Sequence, residues 1–155
     1  MQLTKNFSLS EMVKSETALR HGLDNTPGDT EIENLKALCE NVLQPVRDAF
    51  GKGVKVNSGF RHPDVNAAVG GSKTSDHCQG QAADIEIPGI ANAELAEWIR
   101  DNLVFDQIIL EFYNPKEGEN SGWVHVSYSK NNRKETLTAL DRKSTRLNSS
   151  HTDIS

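Results

Sequence analysis

Long apolar runs are missing from this chain, and so is an excess of basic residues. No segment approaches the about 20 apolar residues that a membrane-spanning helix needs, so we expect no membrane insertion. The first residues, MQLTKNFSLSEMV, also lack the basic and then apolar pattern of a secretory signal. The formal net charge of -5 argues against binding to nucleic acid or to anionic lipid, because both partners require a basic surface.

Cysteine is scarce as well. Cys39 and Cys78 are the only two in the sequence, which fits a reducing compartment better than a disulfide framework. Apolar residues make up a low 35% but charged residues an ordinary 25%, so a globular fold remains the expectation. The 155 residues suffice for one domain with a hydrophobic core and are too few for two. We expect a monomer that is made in the cytoplasm.

Three segments have the apolar spacing of amphipathic helices. They are FSLSEMVKSETALRHG, EIENLKALCENVLQPVRDAF and ANAELAEWIRDNL. Ser8 and Glu11 have the spacing of a capping box at the start of the first segment, and Thr30 and Glu33 repeat it before the second. Pro45 lies inside the second segment, so we expect it to bend that helix or split it in two.

The pattern changes to short alternating segments, which are typical of strands. They are VKVNSGF, AADIEI, DQIILEF and GWVHVSY, and KETLTAL is expected to add an edge strand. Helices and strands are interspersed without the regular alternation of a doubly wound sheet. We therefore predict an α+β fold with a mainly antiparallel sheet and helices packed on one side, in a domain covering residues 1–142.

The last segment, KSTRLNSSHTDIS (residues 143–155), matches neither the helical nor the strand period. It is polar, rich in Ser and Thr, and follows the last predicted element directly. We interpret it as a disordered tail of non-native origin and exclude it, with its histidine, from the prediction of the fold.

Residues with the chemistry of metal ligands lie in SDHCQGQAAD (residues 75–84) and in GWVHVSY (residues 122–128). Catalytic zinc takes three protein ligands and leaves its fourth position to water. His77 precedes a glycine-containing turn, Asp84 lies on a predicted strand, and His125 lies on another. These three side chains could converge on one ion. The alternatives are histidines that are hydrogen-bonded in the core and an acid at a strand end.

The pattern S-x-H-x-x-G-x-A-x-D from Ser75 to Asp84, followed by WVHV, resembles the D-Ala-D-Ala carboxypeptidase family of zinc peptidases. That family includes the L-alanyl-D-glutamate endopeptidases of phage lysins. The segment SGFRHPDVNAAVGGSKTS is similar to the family's arginine-bearing segment. The resemblance implies a fold of the hedgehog and D-Ala-D-Ala peptidase type. It also implies Zn2+ as cofactor, with His77, Asp84 and His125 as its ligands.

Further roles follow from the same resemblance. Arg61 is expected to hold a carbonyl or carboxylate of the substrate and to stabilise the developing oxyanion, which suits the rigid donor fork of a guanidinium. The alternative for Arg61 is a surface arginine in a turn. Ser75 is expected to hydrogen-bond either the substrate or its own turn. Trp123 either walls the cleft or packs in the structure. The small residues Gly80 and Ala82 are expected to leave room around the metal.

The general base is less clearly indicated. Many members of the family carry an acid three positions before the last histidine ligand, where this chain has Gly122. We predict that Glu111 replaces it, provided that IILEF and WVHVS pair as a hairpin and bring it beside His125. A strand-end glutamate paired with a lysine is the alternative for Glu111. Glu86 is the weaker competitor for the role of base.

The resemblance thus implies a zinc metallopeptidase that hydrolyses the stem peptides of bacterial peptidoglycan, in a phage or prophage lysis context. It is compatible with a D-Ala-D-Ala carboxypeptidase and with an L-Ala-D-Glu endopeptidase. One alternative is a zinc-bearing module that binds the cell wall without turnover, which the glycine at position 122 favours. The other is a metal-free structural protein, for instance a phage virion component.

Overall fold

The fold is described from a computed structural model that defines residues 1–72, 74–111, 121–140 and 143–146. The helices are α1 (Leu9–Val13), α2 (Glu16–His21), α3 (Asp29–Leu38), α4 (Gln44–Phe50), α5 (Pro63–Ala68) and α6 (Asn92–Asn102). A π-helical turn (Cys39–Leu43) joins α3 to α4, and a 3₁₀ helix spans Asp76–Gln79. Within those ranges, none of the helices has both the length and the apolar character needed to cross a membrane.

Six strands form one sheet. They are β1 (Lys55–Ser58), β2 (Ala82–Glu86), β3 (Gln107–Glu111), β4 (Trp123–Ser127), β5 (Glu135–Leu140) and β6 (Lys143–Arg146), in the order β1-β2-β4-β3-β5-β6. Every neighbouring pair is antiparallel except β3 and β5, which are parallel. The prediction of an α+β fold with a mainly antiparallel sheet is confirmed.

The C-terminal end of the sheet differs from the expectation. KETLTAL forms β5, but β5 lies between β3 and β6 and is not an edge strand. The edge is β6, whose four residues were assigned from the sequence to the polar tail. Strand pairing is made by backbone N–H and C=O groups, so a segment without a hydrophobic period can still extend a sheet edge. Residues 147–155 lie outside the described part of the chain.

The two faces of the central strands have different surroundings. On one face the side chains are apolar and fully buried, among them Ile85, Ile108 and Val124. They form one core with the buried residues of α3, the π-helical turn and α6. Successive side chains point to opposite faces of a strand, so the residues between them lie on the face away from this core. That second face carries the candidate site.

Two helix boundaries differ from the predicted ones. FSLSEMVKSETALRHG forms two short helices, because the Ser15 hydroxyl caps a new helix by accepting a hydrogen bond from Ala18 N at 3.1 Å. The second segment begins at Asp29 and not after Thr30. Its capping contact runs from Gly28 N to the Glu31 carboxylate, 2.9 Å long, so the pairing of Thr30 with Glu33 was wrong.

Pro45 lies in the first turn of α4, and the helical segment runs as α3, the π-helical turn and α4 in direct succession. The π-helical turn precedes it, and Gln44 N donates to Cys39 O across five residues. Proline lacks an N–H and crowds the preceding turn, so a wider turn ahead of it relieves both defects. The segment keeps its apolar face, with Leu38, Val42 and Val46 all fully buried.

Candidate metal centre and catalytic cleft

Strand pairing brings the first two candidate ligands together. Asp84 on β2 lies directly opposite His125 on the antiparallel strand β4. Directly opposed residues of an antiparallel pair share a face of the sheet, with their side chains close together. The Asp84 carboxylate oxygen Oδ1 is 3.0 Å from His125 Nδ1.

The third candidate ligand comes from the 3₁₀ helix Asp76–Gln79. The Ser75 hydroxyl caps this helix and accepts a hydrogen bond from His77 N at 3.2 Å. Gly80 ends it in the left-handed conformation, with φ of 74°, which favours glycine. A Cβ at Gly80 would lie 2.5 Å from the backbone oxygen of Glu31 in α3. The turn and the packing against α3 therefore account for Gly80. The expectation that it leaves room around the metal stays a prediction.

The donor atoms of His77, Asp84 and His125 fit a zinc ion. All three side chains are buried, and their ligand atoms lie within 4.8 Å of one another. His77 Nε2 is 3.3 Å from Asp84 Oδ1, and His125 Nδ1 is 3.0 Å from the same oxygen. A tetrahedral zinc ion with bonds of about 2.0–2.1 Å would separate its ligand atoms by about 3.3 Å. Two imidazoles and a carboxylate are also a donor set that catalytic zinc uses.

The orientation of the His77 ring is set by a backbone group. Its Nδ1 lies 2.7 Å from the carbonyl oxygen of Gly59, which can only accept a hydrogen bond. Nδ1 therefore carries a proton, and Nε2 is the ring nitrogen that faces the cluster and would bind a metal. Gly59 itself has no space for a side chain, because a Cβ there would collide with the backbone carbonyl of Met12.

The cluster has a distinct electrostatic character. Burial opposes ionisation of Asp84, but hydrogen bonds from His125 and His77 outweigh it and hold the pKa of Asp84 below its usual range. Burial likewise lowers the pKa of His125, but the Asp84 carboxylate raises it by more, and its pKa lies above the ordinary value. Protonation of His125 and metal binding therefore compete, since only a neutral imidazole is a ligand.

Glu111 lies on the same face of the sheet as the cluster. It pairs with Trp123 across β3 and β4, two positions from the Ile109–His125 pair. Burial raises the pKa of the Glu111 carboxyl, the charge of Asp84 raises it further, and the two histidines and a hydrogen bond from Trp123 partly offset this. β3 and β4 pair as the assignment of Glu111 required, with Glu111 opposite Trp123 and two positions from His125, and its role as base stays a prediction. A lysine partner for Glu111 is absent among the ion pairs of the described residues.

A cleft of about 610 Å³ contains all of these groups. Every residue singled out from the sequence as a site residue lines it: Arg61, Ser75, His77, Asp84, Glu111, Trp123 and His125. Arg61 is half-buried. Its backbone N donates to His77 O at 3.1 Å, which connects Arg61 to the 3₁₀ helix that carries His77. Its buried Nε has no hydrogen-bond partner among the described residues, so this donor is available to a ligand.

Other candidates lie apart from the cleft. Glu86 accepts a hydrogen bond from Asn57 at 2.8 Å and does not line the cleft, so it is poorly placed to act as base. His62 caps α5 by accepting from Asp64 N, and His21 is exposed at the end of α2. Cys78, next to His77 in the chain, is not part of the cluster.

The structure also explains the glycine in the position of the family's usual acid. Gly122 has a φ of 71°, in the left-handed region that side chains disfavour. Its carbonyl accepts a hydrogen bond from Asn92 on α6, 3.2 Å long. An acid at this position would be strained in this backbone conformation, and Glu111 on β3 is among the carboxylates that line the cleft.

Three contributors to the site carry no signal in the sequence. The Gly59 carbonyl that orients His77 is a backbone atom 18 positions away from it. Gln107 and Ile109 line the cleft because β3 pairs with β4, and their residue types do not indicate a site. The strand period could have placed them on the Glu111 face, but not in the cleft.

Comparison with known proteins gives one family. A family model described as Peptidase M15 matches residues 5–127 of this chain. The match covers well over half of the sequence and includes every cleft residue named above. No curated protein matches the chain.

Proposed function

This chain belongs to the peptidase M15 family of metallopeptidases, and from that membership we propose that it is a zinc-dependent hydrolase of peptidoglycan stem peptides. The observation that carries the proposal is the convergence of His77, Asp84 and His125 in a cleft that also holds a carboxylate and a guanidinium. We extend the proposal to a monomer that is made in the cytoplasm and acts on the wall in phage or prophage lysis.

The three buried donors would hold the metal from one side and leave its cleft side open. When bound, zinc would supply a Lewis acid that polarises the scissile carbonyl and acidifies water. Asp84 is ionised over the whole neutral range, because its pKa is lowered by the two histidines. It therefore offers a charged oxygen to the cation without first having to lose a proton.

Arg61 would bind the carbonyl or carboxylate of the substrate. Its guanidinium remains charged when half-buried and presents donors in a fixed plane, which suits an oxygen that gains negative charge in the transition state. The unpartnered Nε supports this role, since a buried donor without a partner costs free energy that a bound oxygen would recover.

Glu111 would act as the general base. Its carboxylate would take a proton from the attacking water and deliver it to the nitrogen of the leaving amine. Burial raises the pKa of this carboxyl, which makes the carboxylate a stronger base and brings its proton uptake and release nearer to neutral pH. Trp123 lies directly opposite Glu111 on β4 and lines the same cleft, so it would flank the carboxylate.

The test combines a metal assay with mass spectrometry of digested peptidoglycan. Purified protein should hold one zinc ion per chain and release new amino groups from cell walls, and the masses of the fragments name the bond that is cut. Release of a terminal D-alanine would identify a carboxypeptidase. Cleavage between L-alanine and D-glutamate would identify an endopeptidase. Zinc without release of amino groups would instead identify a binding module. Protein without zinc would refute the proposed chemistry.

A further inference from the structure

A second cleft adjoins the catalytic one and is unused by the proposed reaction. It has a volume of about 410 Å³, and Arg61 and Val69 line both clefts. Its other walls come from the α1–α2 junction and from β1. The two clefts are therefore adjacent at Arg61 and Val69, so a peptide bound at the metal would lie beside this second space.

The second cleft is basic on a chain that is acidic overall. Its lining includes Lys14, Arg20, Lys55 and Arg61 against one acid, Glu16, whereas the formal net charge of the whole chain is -5. None of these five residues takes part in an ion pair within the described ranges. Four cations gathered in a concave space with a single acid create a positive potential that attracts anions.

We propose that the second cleft is a subsite for a carboxylate of the substrate, bound by Lys14, Lys55 and Arg20 beyond Arg61. The inference rests on the proposed function, because the ligand is taken to be a peptide whose scissile bond lies at the metal. Arg61, whose buried Nε has no hydrogen-bond partner among the described residues, lines both clefts and would bind the substrate between the metal and this subsite.

The carboxylate could be the C-terminus of the peptide or an acidic group within it. Both have the same chemistry, and ordered ammonium and guanidinium groups would bind either. Each exposed cation contributes little, but three that act on one anion should add up to about a tenfold preference over an uncharged amide. Because the cations are exposed, the preference should fall as salt is raised.

The experiment uses zinc-loaded full-length protein and synthetic stem peptides in matched pairs. In one pair the internal carboxylate is free or amidated, and in the other the C-terminal carboxylate is free or amidated. We measure kcat/KM for each peptide with the wild type and with Lys14→Ala/Lys55→Ala. The matched control is Lys36→Ala/Lys52→Ala, which removes two exposed lysines that line neither cleft.

Wild type and control should prefer the free acid of one pair by about tenfold, and the Lys14→Ala/Lys55→Ala variant by about threefold or less. The pair that shows the preference identifies the source of the carboxylate. Equal rates on acid and amide in both pairs, or an unchanged preference in the variant, would overturn the subsite.

Failure of the proposed function is distinguishable from failure of the subsite. If the wild type hydrolyses no peptide, the peptidase assignment fails. Calorimetry then measures the affinities of the same peptide pairs, which needs no turnover. The ratio of acid to amide affinity in each protein decides whether the subsite exists. Arg20→Ala, with a thermal melt that matches the wild type, serves as a second variant should the double variant fold poorly.

Discussion

His77 and His125 approach Asp84 through different ring nitrogens. His77 uses Nε2 because the Gly59 carbonyl occupies its Nδ1, whereas His125 turns its Nδ1 toward the same carboxylate oxygen. The two rings lie edge to face, with centroids 5.1 Å apart. The geometry at this scale depends on one hydrogen bond from each ring, so single substitutions should have large and separable effects.

We expect His77→Ala and His125→Ala each to abolish zinc binding. Removing one of three protein ligands should cost more than the about 10- to 100-fold in affinity that loss of an outer hydrogen bond costs. Zinc content after dialysis, measured by atomic emission, checks this. His62→Ala should keep the metal, since His62 caps α5 and does not line the cleft. Stoichiometric zinc in either ligand variant would refute the ligand assignment.

Glu111→Gln should keep zinc while kcat falls by about 10²–10⁴-fold, because the amide cannot accept the proton of the attacking water. The substitution keeps the shape of the side chain, so a loss of metal would indicate a structural effect. Turnover of a peptidoglycan peptide by zinc-loaded protein checks it. An unchanged rate would mean that another residue is the base.

The pH dependence of kcat for the wild type and for Glu111→Gln tests the protonation state of Glu111. The base is active as a carboxylate, so activity should fall as pH drops through its pKa. Burial raises that pKa above the ordinary value of about 4.3, so this fall should begin at higher pH than for an exposed glutamate. The residual activity of Glu111→Gln should lack this acid limb.

At the scale of elements, β3, β4 and β5 are held together at one end by Asp106. Its carboxylate accepts hydrogen bonds from Arg133 N at 3.1 Å and Arg133 Nε at 2.8 Å. Its backbone N donates to Ser127 O, and its backbone O accepts from Glu135 N. The residue just before β3 therefore sets the position of the connection between β4 and β5.

We expect Asp106→Asn to lower the free energy of unfolding by about 1 kcal/mol at pH 7. The Arg133 hydrogen bonds, opposed by burial, hold the pKa of Asp106 below its usual value. Its contribution is thus present above the unfolded pKa of about 3.9 and is lost as pH falls through the folded value. Urea titrations at pH 7 and at a pH below the folded pKa of Asp106 measure the difference in unfolding free energy between variant and wild type.

The control for Asp106→Asn is Asp101→Asn. Asp101 forms an ion pair with the neighbouring Arg100, but its side chain is 60% exposed against 11% for Asp106. Its removal should change stability by no more than about 0.5 kcal/mol. Equal effects of the two substitutions would mean that the Asp106 contacts do not join the strands.

At the scale of the whole molecule, the sheet separates the site from the C-terminal strands. Asp84 and His125 of the candidate metal site lie on β2 and β4, whereas β5 and β6 lie beyond β3. The second cleft lies at the other end of the sheet, along β1. Changes beyond β5 should therefore affect stability more than metal binding.

A chain that ends at Arg142 tests this separation and the exclusion of residues 143–155. It lacks β6 and exposes the edge of β5, but it keeps every cleft residue. We expect one zinc ion per chain, as in the full chain, and a Tm lower by about 2–4 °C. Calorimetry and zinc content check both quantities. Loss of the metal would show that the C-terminal segment belongs to the functional domain.

The sequence by itself determined the classes of element, the faces of the strands and the identity of the three candidate ligands. Alternation places Trp123, His125 and Ser127 on one face of a strand without knowledge of its neighbours, because the strand period is a local property. The family pattern then indicated which of the histidines matter.

Only the tertiary structure decided which groups meet. A strand period does not say which strand is adjacent or in what register, so the pairing of Asp84 with His125 and of Glu111 with Trp123 had to come from the fold. The Gly59 carbonyl, the left-handed Gly122 and the basic second cleft were likewise out of reach. Each depends on contacts between residues far apart in the chain, and no local pattern encodes them.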